Sequence, residues 1–82
     1  MIEIYTKAYC PYCWRAKELL EEKNQRYNEI DVEHHKDRWD EMVRRSGKTT
    51  VPQIFINGMH IGGCDDLQAL DEKGELSKIL KR

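Results

Sequence analysis

The pattern of apolar and polar positions predicts a strand, a helix and a second strand in the first part of the chain. Residues 2–5 alternate as a short strand, and a turn leads from them to Cys10 and Pro11. Proline suits the first turn of a helix because the N–H that it lacks would have no helical partner there. From Pro11 to about Lys23 apolar residues recur on one helical face, and residues 26–31 form the second strand. This order predicts a right-handed crossover between parallel strands.

The rest of the chain predicts another helix, a hairpin and a last helical region. Residues 37–46 have apolar side chains at helical spacing, and Gly47 follows, as is usual after a helix. The Asn57-Gly58 pair between two apolar runs predicts a two-residue hairpin turn. The turn sets the cross-strand pairs, which are Ile56 with Met59, Phe55 with His60, and Ile54 with Ile61. Residues 65–73 form a third helix before a short last turn over residues 76–80. The order β-α-β-α-β-β-α predicts an α/β protein with a small four-stranded mixed sheet flanked by helices on both faces.

Composition adds few constraints but excludes several protein classes. The 82 residues allow one domain, residues 1–82, with a single thin core. Lys and Arg total 14 against 15 Asp and Glu, a net charge of -1, so no basic footprint indicates nucleic acid or an anionic membrane as a partner. No apolar run approaches the roughly 18 residues of a membrane span, and residues 1–8 lack the features of a signal peptide. We therefore expect a soluble, cytoplasmic and monomeric protein.

The cysteines are the strongest chemical signal. Their number is 3, and an odd number excludes a miniprotein held together only by internal disulfides. Cys10 and Cys13 form a Cys-x-x-Cys pair at the predicted start of a helix, where free backbone N–H groups and the helix dipole favour a thiolate. Cys10 meets this condition, whereas Cys13 lies one turn inside on the apolar face. We therefore predict that Cys10 attacks and Cys13 resolves. Lys7 adds a nearby positive charge or is simply a solvated surface lysine.

Three sequence motifs occur in a recognisable order. They are Cys10-Pro11-Tyr12-Cys13 after a strand, Thr50-Val51-Pro52 before the hairpin, and Gly62-Gly63-Cys64-Asp65-Asp66 at the start of the third helix. Together they resemble the glutaredoxins, specifically the dithiol bacterial type, and the resemblance covers essentially the whole chain. It implies a thioredoxin fold, in agreement with the element order above. It also implies a glutathione-dependent thiol-disulfide oxidoreductase with glutathione as co-substrate and with no tightly bound cofactor or metal.

The resemblance implies a glutathione site. Its predicted residues are Lys7, Tyr12, Arg38, Thr50, Val51, Pro52, Gly63, Cys64, Asp65 and Asp66. In the family the proline that matches Pro52 is cis, and the backbone of Thr50 and Val51 would bind the cysteinyl part of glutathione. The N-terminus of the third helix suits the γ-glutamyl carboxylate. Asp65 or Asp66 would pair with the γ-glutamyl ammonium, and both also favour the helix start as acidic residues.

Other side chains around this site have more than one interpretation. Lys7 fits the glycine carboxylate of glutathione on one side, and the family uses a basic or amide residue of the second helix, for which Arg38 is the nearest candidate. Tyr12 resembles the tyrosine that flanks the family's glutathione site. Cys64 is an oxidisable thiol, a packing residue or, as we favour, a backbone contributor whose sulfur does nothing. Trp14 is predicted to be exposed beside the nucleophile, where it either docks protein substrates or packs on a neighbouring loop.

The resemblance also implies partners and leaves alternatives. Its partners are glutathione and cytosolic protein disulfides, with ribonucleotide reductase as a candidate target, and electrons come from NADPH through glutathione reductase. One alternative is a glutaredoxin-like redoxin reduced by thioredoxin reductase, although such proteins have a C-terminal aromatic segment that is not found here. A zinc module is another, with the ligands Cys10, Cys13, His60 and Cys64, although closed zinc sites usually come as two close pairs. A glutathione-ligated iron–sulfur cluster is the last, although the family's cluster binders usually replace the proline that is Pro11 here.

Overall fold

The structure, a computed structural model, describes residues 1–81, so Arg82, the last residue of the predicted domain, lies outside the described residues. The elements in chain order are β1 (Ile2–Thr6), α1 (Pro11–Glu22), β2 (Asn28–Asp31), α2 (Lys36–Ser46), β3 (Gln53–Ile56), β4 (Met59–Gly62), α3 (Cys64–Glu72) and α4 (Glu75–Leu80). The predicted order is confirmed, and the short last turn is the helix α4. β2 is shorter than predicted, since it begins at Asn28 rather than Arg26.

The strands form one sheet in the order β2-β1-β3-β4. β1 pairs with β2 in parallel, with Tyr5 opposite Ile30, as the strand–helix–strand pattern predicts. β1 pairs with β3 in antiparallel fashion, with Ile4 opposite Ile54. β1 and β3 are therefore the central strands, and the loops that precede α1 and β3 lie side by side at one end of the sheet.

The hairpin between β3 and β4 differs from its prediction at one pair. Asn57 and Gly58 both have positive φ, 51° and 82°, as a two-residue turn requires. The pairs nearest the turn, which are Ile56 with Met59 and Phe55 with His60, are confirmed. The pairing of Ile54 with Ile61 is wrong, because a bulge shifts the register and Ile54 pairs with Gly62. Gly62 has a φ of 119°, a conformation that glycine accepts and that turns the strand toward α3.

Helices cover both faces of the sheet, as predicted. On one face α1 and α3 pack on each other and on the sheet. The buried side chains of this core are Ile2, Ile4, Ala16, Leu20, Ile54, Ile56, Cys64, Leu67 and Leu76. α2 covers the other face over a smaller core of Tyr5, Val32, Met42 and Phe55. Neighbouring strand residues such as Ile4 and Tyr5 enter opposite cores because side chains alternate along a strand.

A polar contact fixes α2 to its face of the sheet. Arg45 donates to both carboxylate oxygens of Glu3 at 3.1 Å and to the Tyr5 hydroxyl at 2.8 Å. Its guanidinium also lies 4.0 Å from the centre of the Phe55 ring. Burial, and then the hydrogen bond to the Glu41 carboxylate, raise the pKa of Tyr5, so this hydroxyl stays protonated. Among residues 1–81 the structure contains no helix with the length and apolar character of a membrane span.

Candidate active site

Cys10 occupies the N-cap position of α1. Its backbone is extended, with φ -138° and ψ 101°, and Pro11 follows as the first helical residue. The Cys10 Sγ accepts a hydrogen bond from the Cys13 N–H at 3.2 Å, in the way that a serine or aspartate oxygen caps a helix. Backbone donors and the helix dipole at this point stabilise negative charge on the sulfur. Cys10 is only half-buried, so the sulfur lies where a thiolate is both stabilised and accessible.

Cys13 has the opposite environment. Its side chain is fully buried on the apolar face of α1, together with Ala16 and Leu20. Burial, and then the hydrogen bond to Cys10, raise the pKa of Cys13 to about 12, while a backbone hydrogen bond from Lys7 acts in the opposite direction. Cys13 therefore stays a neutral thiol near pH 7 and cannot attack first. The geometry agrees with the order of attack that the helix positions predict.

The loop before β3 lies beside Cys10. The Val51–Pro52 peptide bond is cis, as the resemblance implies. The Cys10 Sγ lies 3.9 Å from the Val51 carbonyl oxygen, to which only its thiol form can donate. Two hydrogen bonds fix the position of Thr50, since its carbonyl and hydroxyl oxygens accept from the Gln53 amide at 3.0 and 3.2 Å. The backbone around Val51 therefore forms one wall of the site.

A cleft of about 180 Å³ brings the sequence motifs together. Its lining consists of Tyr12, Val51, Pro52, Gly63, Cys64, Asp65 and Asp66. Every residue in this lining was predicted from the sequence. Larger cavities exist elsewhere, of about 450 Å³ and 490 Å³, but no cysteine lines them among the described residues. The smaller cleft is therefore the candidate site, because it is the one next to the reactive sulfur.

The two aspartates at the start of α3 have different surroundings. The Asp66 Oδ2 accepts from the Gly63 N–H at 2.9 Å and so caps the helix. Asp65 is exposed, and within residues 1–81 no hydrogen bond or ion pair involves its side chain. Asp65 is thus the more available of the two for a ligand ammonium, while Asp66 orders the helix N-terminus.

Cys64 is among the residues that line the cleft, but its side chain lies in the core. Its side chain is 4% exposed and belongs to the cluster beneath α1 and α3. Burial raises the pKa of the Cys64 thiol, the Asp65 carboxylate adds to this effect and Arg15 opposes it. The buried sulfur therefore packs in the core, at the residue where α3 begins.

Three of the predicted binding residues are not in the cleft lining: Thr50, which directly precedes Val51, and the more distant Lys7 and Arg38. The Lys7 ammonium is 5.0 Å from the centre of the Trp39 ring, between the β1–α1 loop and α2. Arg38 pairs with Glu41 at 3.2 Å and lines the separate cavity of about 490 Å³ between β2 and α2. The structure therefore does not place Arg38 at the cleft, because a carboxylate one turn along the same helix holds its guanidinium.

Trp14 is exposed, as predicted, and it also contacts the neighbouring loop. Its side chain is 50% exposed, and its indole Nε1 donates to the Ala8 carbonyl at 3.1 Å, in the loop before Cys10. Tyr9 and Tyr12 are 90% and 54% exposed, so three exposed aromatic side chains lie within four residues of Cys10 in the chain. Such a concentration of apolar surface is typical of a contact region.

Sequence reasoning missed the role of Gln53, which is 3% exposed and holds Thr50. The signal that could have revealed it is a lone amide at the start of the otherwise apolar run Gln53–Ile56, since a buried amide needs hydrogen-bond partners.

The proposed zinc ligands do not converge. His60 stacks on Phe55 near α2, while the Cys64 sulfur lies in the opposite core. No group of metal-ligating side chains occurs within residues 1–81.

Comparison with known proteins agrees with this geometry. The family model described as Glutaredoxin matches residues 2–61. Glutaredoxin 3 of Escherichia coli (strain K12) is 55% identical over 80 residues, which cover 98% of this chain and 96% of that protein. The solution structure of a Brucella melitensis glutaredoxin is 51% identical with a TM-score of 0.86, and covers 98% of this chain and 87% of the other. A buckwheat glutaredoxin–glutathione complex is 34% identical with a TM-score of 0.89, and covers 98% of this chain and 76% of the other. The chain, with its Cys10 and Cys13 dithiol, therefore belongs to the glutaredoxin family.

Proposed function

We propose that this glutaredoxin is a glutathione-dependent thiol-disulfide oxidoreductase in which Cys10 is the nucleophile and Cys13 the resolving thiol. The observation that carries the proposal is the position of the Cys10 sulfur, which accepts the Cys13 N–H at the start of α1 and borders the cleft at Val51. The buckwheat relative, whose structure is a complex with glutathione, supports the choice of co-substrate.

The chemistry begins with a disulfide between glutathione and a protein or small molecule. The Cys10 thiolate attacks the glutathione sulfur, and the former partner leaves as a thiolate that takes a proton from solvent. A second glutathione thiolate then attacks the new Cys10–glutathione disulfide, which forms oxidised glutathione and restores the Cys10 thiolate. With a protein disulfide, Cys10 forms a mixed disulfide with the protein. Cys13 then attacks Cys10, the protein leaves reduced, and two glutathione molecules reduce the Cys10–Cys13 disulfide.

The cleft supports a defined placement of glutathione. The cysteinyl part lies along the Val51 backbone, which directs its sulfur to Cys10. The γ-glutamyl carboxylate lies at the N-terminus of α3, where backbone N–H groups are free, and Asp65 pairs with the γ-glutamyl ammonium. Tyr12 flanks the ligand, and Lys7 is our candidate for the glycine carboxylate. Arg38 is not part of this placement, because it is paired with Glu41 beside a different cavity.

Protein disulfides are the second proposed substrate class. The side chains of Tyr9, Tyr12 and Trp14 are exposed and lie within four residues of Cys10 in the chain, and a small glutathione disulfide would not need to contact all three. Ribonucleotide reductase stays a candidate target. The proposed electron source is NADPH, whose electrons reach glutathione through glutathione reductase. A cytoplasmic location and a monomeric state stay predictions.

The proposal is tested by following NADPH oxidation with a glutathione mixed disulfide as substrate. One arm contains glutathione and glutathione reductase, and the other contains thioredoxin reductase. We expect turnover only in the glutathione arm, lost in Cys10→Ser and largely kept in Cys13→Ser. Turnover only with thioredoxin reductase, lost in both variants, would instead show the redoxin mechanism and refute the glutathione site.

A further inference from the structure

A buried amide directly follows the cis proline of the site. Gln53 is 3% exposed at the first position of β3, opposite Tyr5 of β1. Apolar residues would fill this position without needing any hydrogen-bond partner, so a buried glutamine must be accounted for by its partners.

The partners of Gln53 fix the direction of its amide. The Nε2 group donates to the Thr50 carbonyl at 3.0 Å and lies 3.2 Å from the Thr50 hydroxyl. The reversed amide would place its oxygen against the Thr50 carbonyl oxygen, which cannot donate. The Oε1 atom must therefore face His60, whose Nε2 lies 2.8 Å away. It follows that the Nε2 atom of His60 carries the proton and donates it to Gln53.

His60 is itself held by the hairpin. It lies opposite Phe55 across β3 and β4, and its ring is 4.9 Å from the Phe55 ring at a tilt of 32°. Phe55 is buried, and the Arg45 guanidinium lies 4.0 Å from the centre of its ring. The donor on His60 is thus placed by strand pairing and by stacking, before any ligand binds.

The other end of this chain of hydrogen bonds is the substrate loop. Thr50 immediately precedes Val51, whose carbonyl oxygen lies 3.9 Å from the Cys10 sulfur. We infer that Gln53 and His60 are positioning residues: His60 orients the Gln53 amide, and Gln53 holds Thr50 so that the Val51 backbone is in place for the cysteinyl part of glutathione. This inference rests on the proposed function. Neither side chain is among the residues that line the cleft.

The test separates ligand binding from the reactivity of the nucleophile. Gln53→Glu keeps the size of the side chain and an acceptor for His60, but a carboxylate cannot donate to the Thr50 carbonyl. His60→Ala removes the orienting donor at an exposed position, and His60→Gln restores a donor. His34→Ala is the matched control, since His34 is an exposed histidine that pairs with Asp31. Each protein is assayed for KM and kcat with a glutathionylated peptide and for the rate of Cys10 alkylation by iodoacetamide.

We expect the KM for the glutathionylated peptide to rise about tenfold in Gln53→Glu and about three- to tenfold in His60→Ala, as expected for the loss of about one net hydrogen bond. His60→Gln should recover most of the loss, and His34→Ala should match wild type. The rate of Cys10 alkylation should stay within about twofold throughout, because the cap at α1 is untouched. If Gln53→Glu does not fold, the comparison of His60→Ala with His60→Gln decides.

Three results would overturn the inference, and they can be told apart. An active wild type, with an unchanged KM in His60→Ala and in folded Gln53→Glu, would refute the positioning role alone. A KM rise matched by an equal fall in Cys10 alkylation would refute it as well, because it would indicate general damage to the site. A wild type without glutathione-dependent turnover would refute the proposed function and, with it, this inference.

Discussion

Replacement of Gly62 by alanine should destabilise the protein, because the residue is buried and its backbone conformation favours glycine. Gly62 ends β4 with a φ of 119°, and a Cβ built there would lie 2.3 Å from the Asp66 Oδ2 and 2.8 Å from its Cγ. A non-glycine residue in such a conformation costs about 1–3 kcal/mol. The methyl group must also displace the carboxylate that caps α3 at Gly63, and loss of a cap costs about 0.5–2 kcal/mol. We therefore expect the free energy of unfolding to fall by about 1.5–5 kcal/mol.

Matched variants separate the two contributions. Gly58→Ala places alanine at a φ of 82° with nothing within 4 Å of the new Cβ, so it measures backbone strain without a clash. Asp66→Ala measures loss of the cap without strain. In the double variant, Gly62→Ala with Asp66→Ala, the new Cβ no longer meets the Asp66 carboxylate. The double variant should therefore cost about 0.5–2 kcal/mol less than the sum of the single variants.

Urea unfolding, followed by the fluorescence of the two tryptophans and by circular dichroism, measures these differences. The reasoning would be refuted if Gly62→Ala cost no more than Gly58→Ala, or if the effects of Gly62→Ala and Asp66→Ala simply added. Since Asp66 orders the helix start that borders the cleft, Gly62→Ala should also raise the KM for a glutathione mixed disulfide. An unchanged KM in a destabilised variant would show that the cap acts on stability alone.

The structure supports three further predictions. Closure of the Cys10–Cys13 disulfide from the Cys10–glutathione disulfide should accelerate as the pH rises from 7 to 9, by up to about tenfold per pH unit. Burial, which remains after Cys10 has reacted, still raises the pKa of Cys13 and keeps its thiolate scarce. Acid quench and chromatography measure the rate, and a flat profile would contradict the prediction. Trp14→Ala should lower kcat/KM several-fold for a protein disulfide but leave kcat/KM for a small glutathione disulfide unchanged. Trp14→Phe keeps an aromatic ring but loses the indole N–H, and it should resemble wild type. Equal losses on both substrates would contradict a docking role. Arg45→Ala should lower the free energy of unfolding, measured in urea, by about 1.5–3 kcal/mol, since the variant loses charged hydrogen bonds. Arg44 is exposed, and Arg44→Ala should change the same free energy by no more than about 0.5 kcal/mol. Equal effects would refute the stabilising role of the Arg45 contacts.

Local signals predicted most of the fold because each has a short-range physical cause. Pro11 indicates the start of α1, Gly47 takes the left-handed conformation after α2 with a φ of 71°, and the Asn57-Gly58 pair forms the tight turn. The partner of Ile54 could not be predicted in this way. The bulge depends on the conformation of Gly62, where the chain leaves the sheet for α3, and hydrophobic alternation carries no information about that junction.

The candidate site was predictable to a similar depth. The cleft consists of predicted residues because motif order determines which loops the sheet brings together. Side-chain partners were not predictable, since several long side chains can reach the same space. Arg38 stands on the helix that the resemblance indicated, but Glu41 one turn away holds its guanidinium. The Gln53 contact with His60 depends on hairpin register, which one bulge is enough to change.

The positions of the two cysteines on α1 also order the reaction that we propose. In the reduced protein the cap position stabilises charge on Cys10, and its hydrogen bond and charge both contribute to the raised pKa of Cys13. Once Cys10 is in a mixed disulfide its charge is gone, so these contributions disappear and burial is the main one left. Cys13 therefore becomes easier to ionise only after Cys10 has reacted. One turn of helix is thus enough to hold the resolving thiol back until there is a mixed disulfide to resolve.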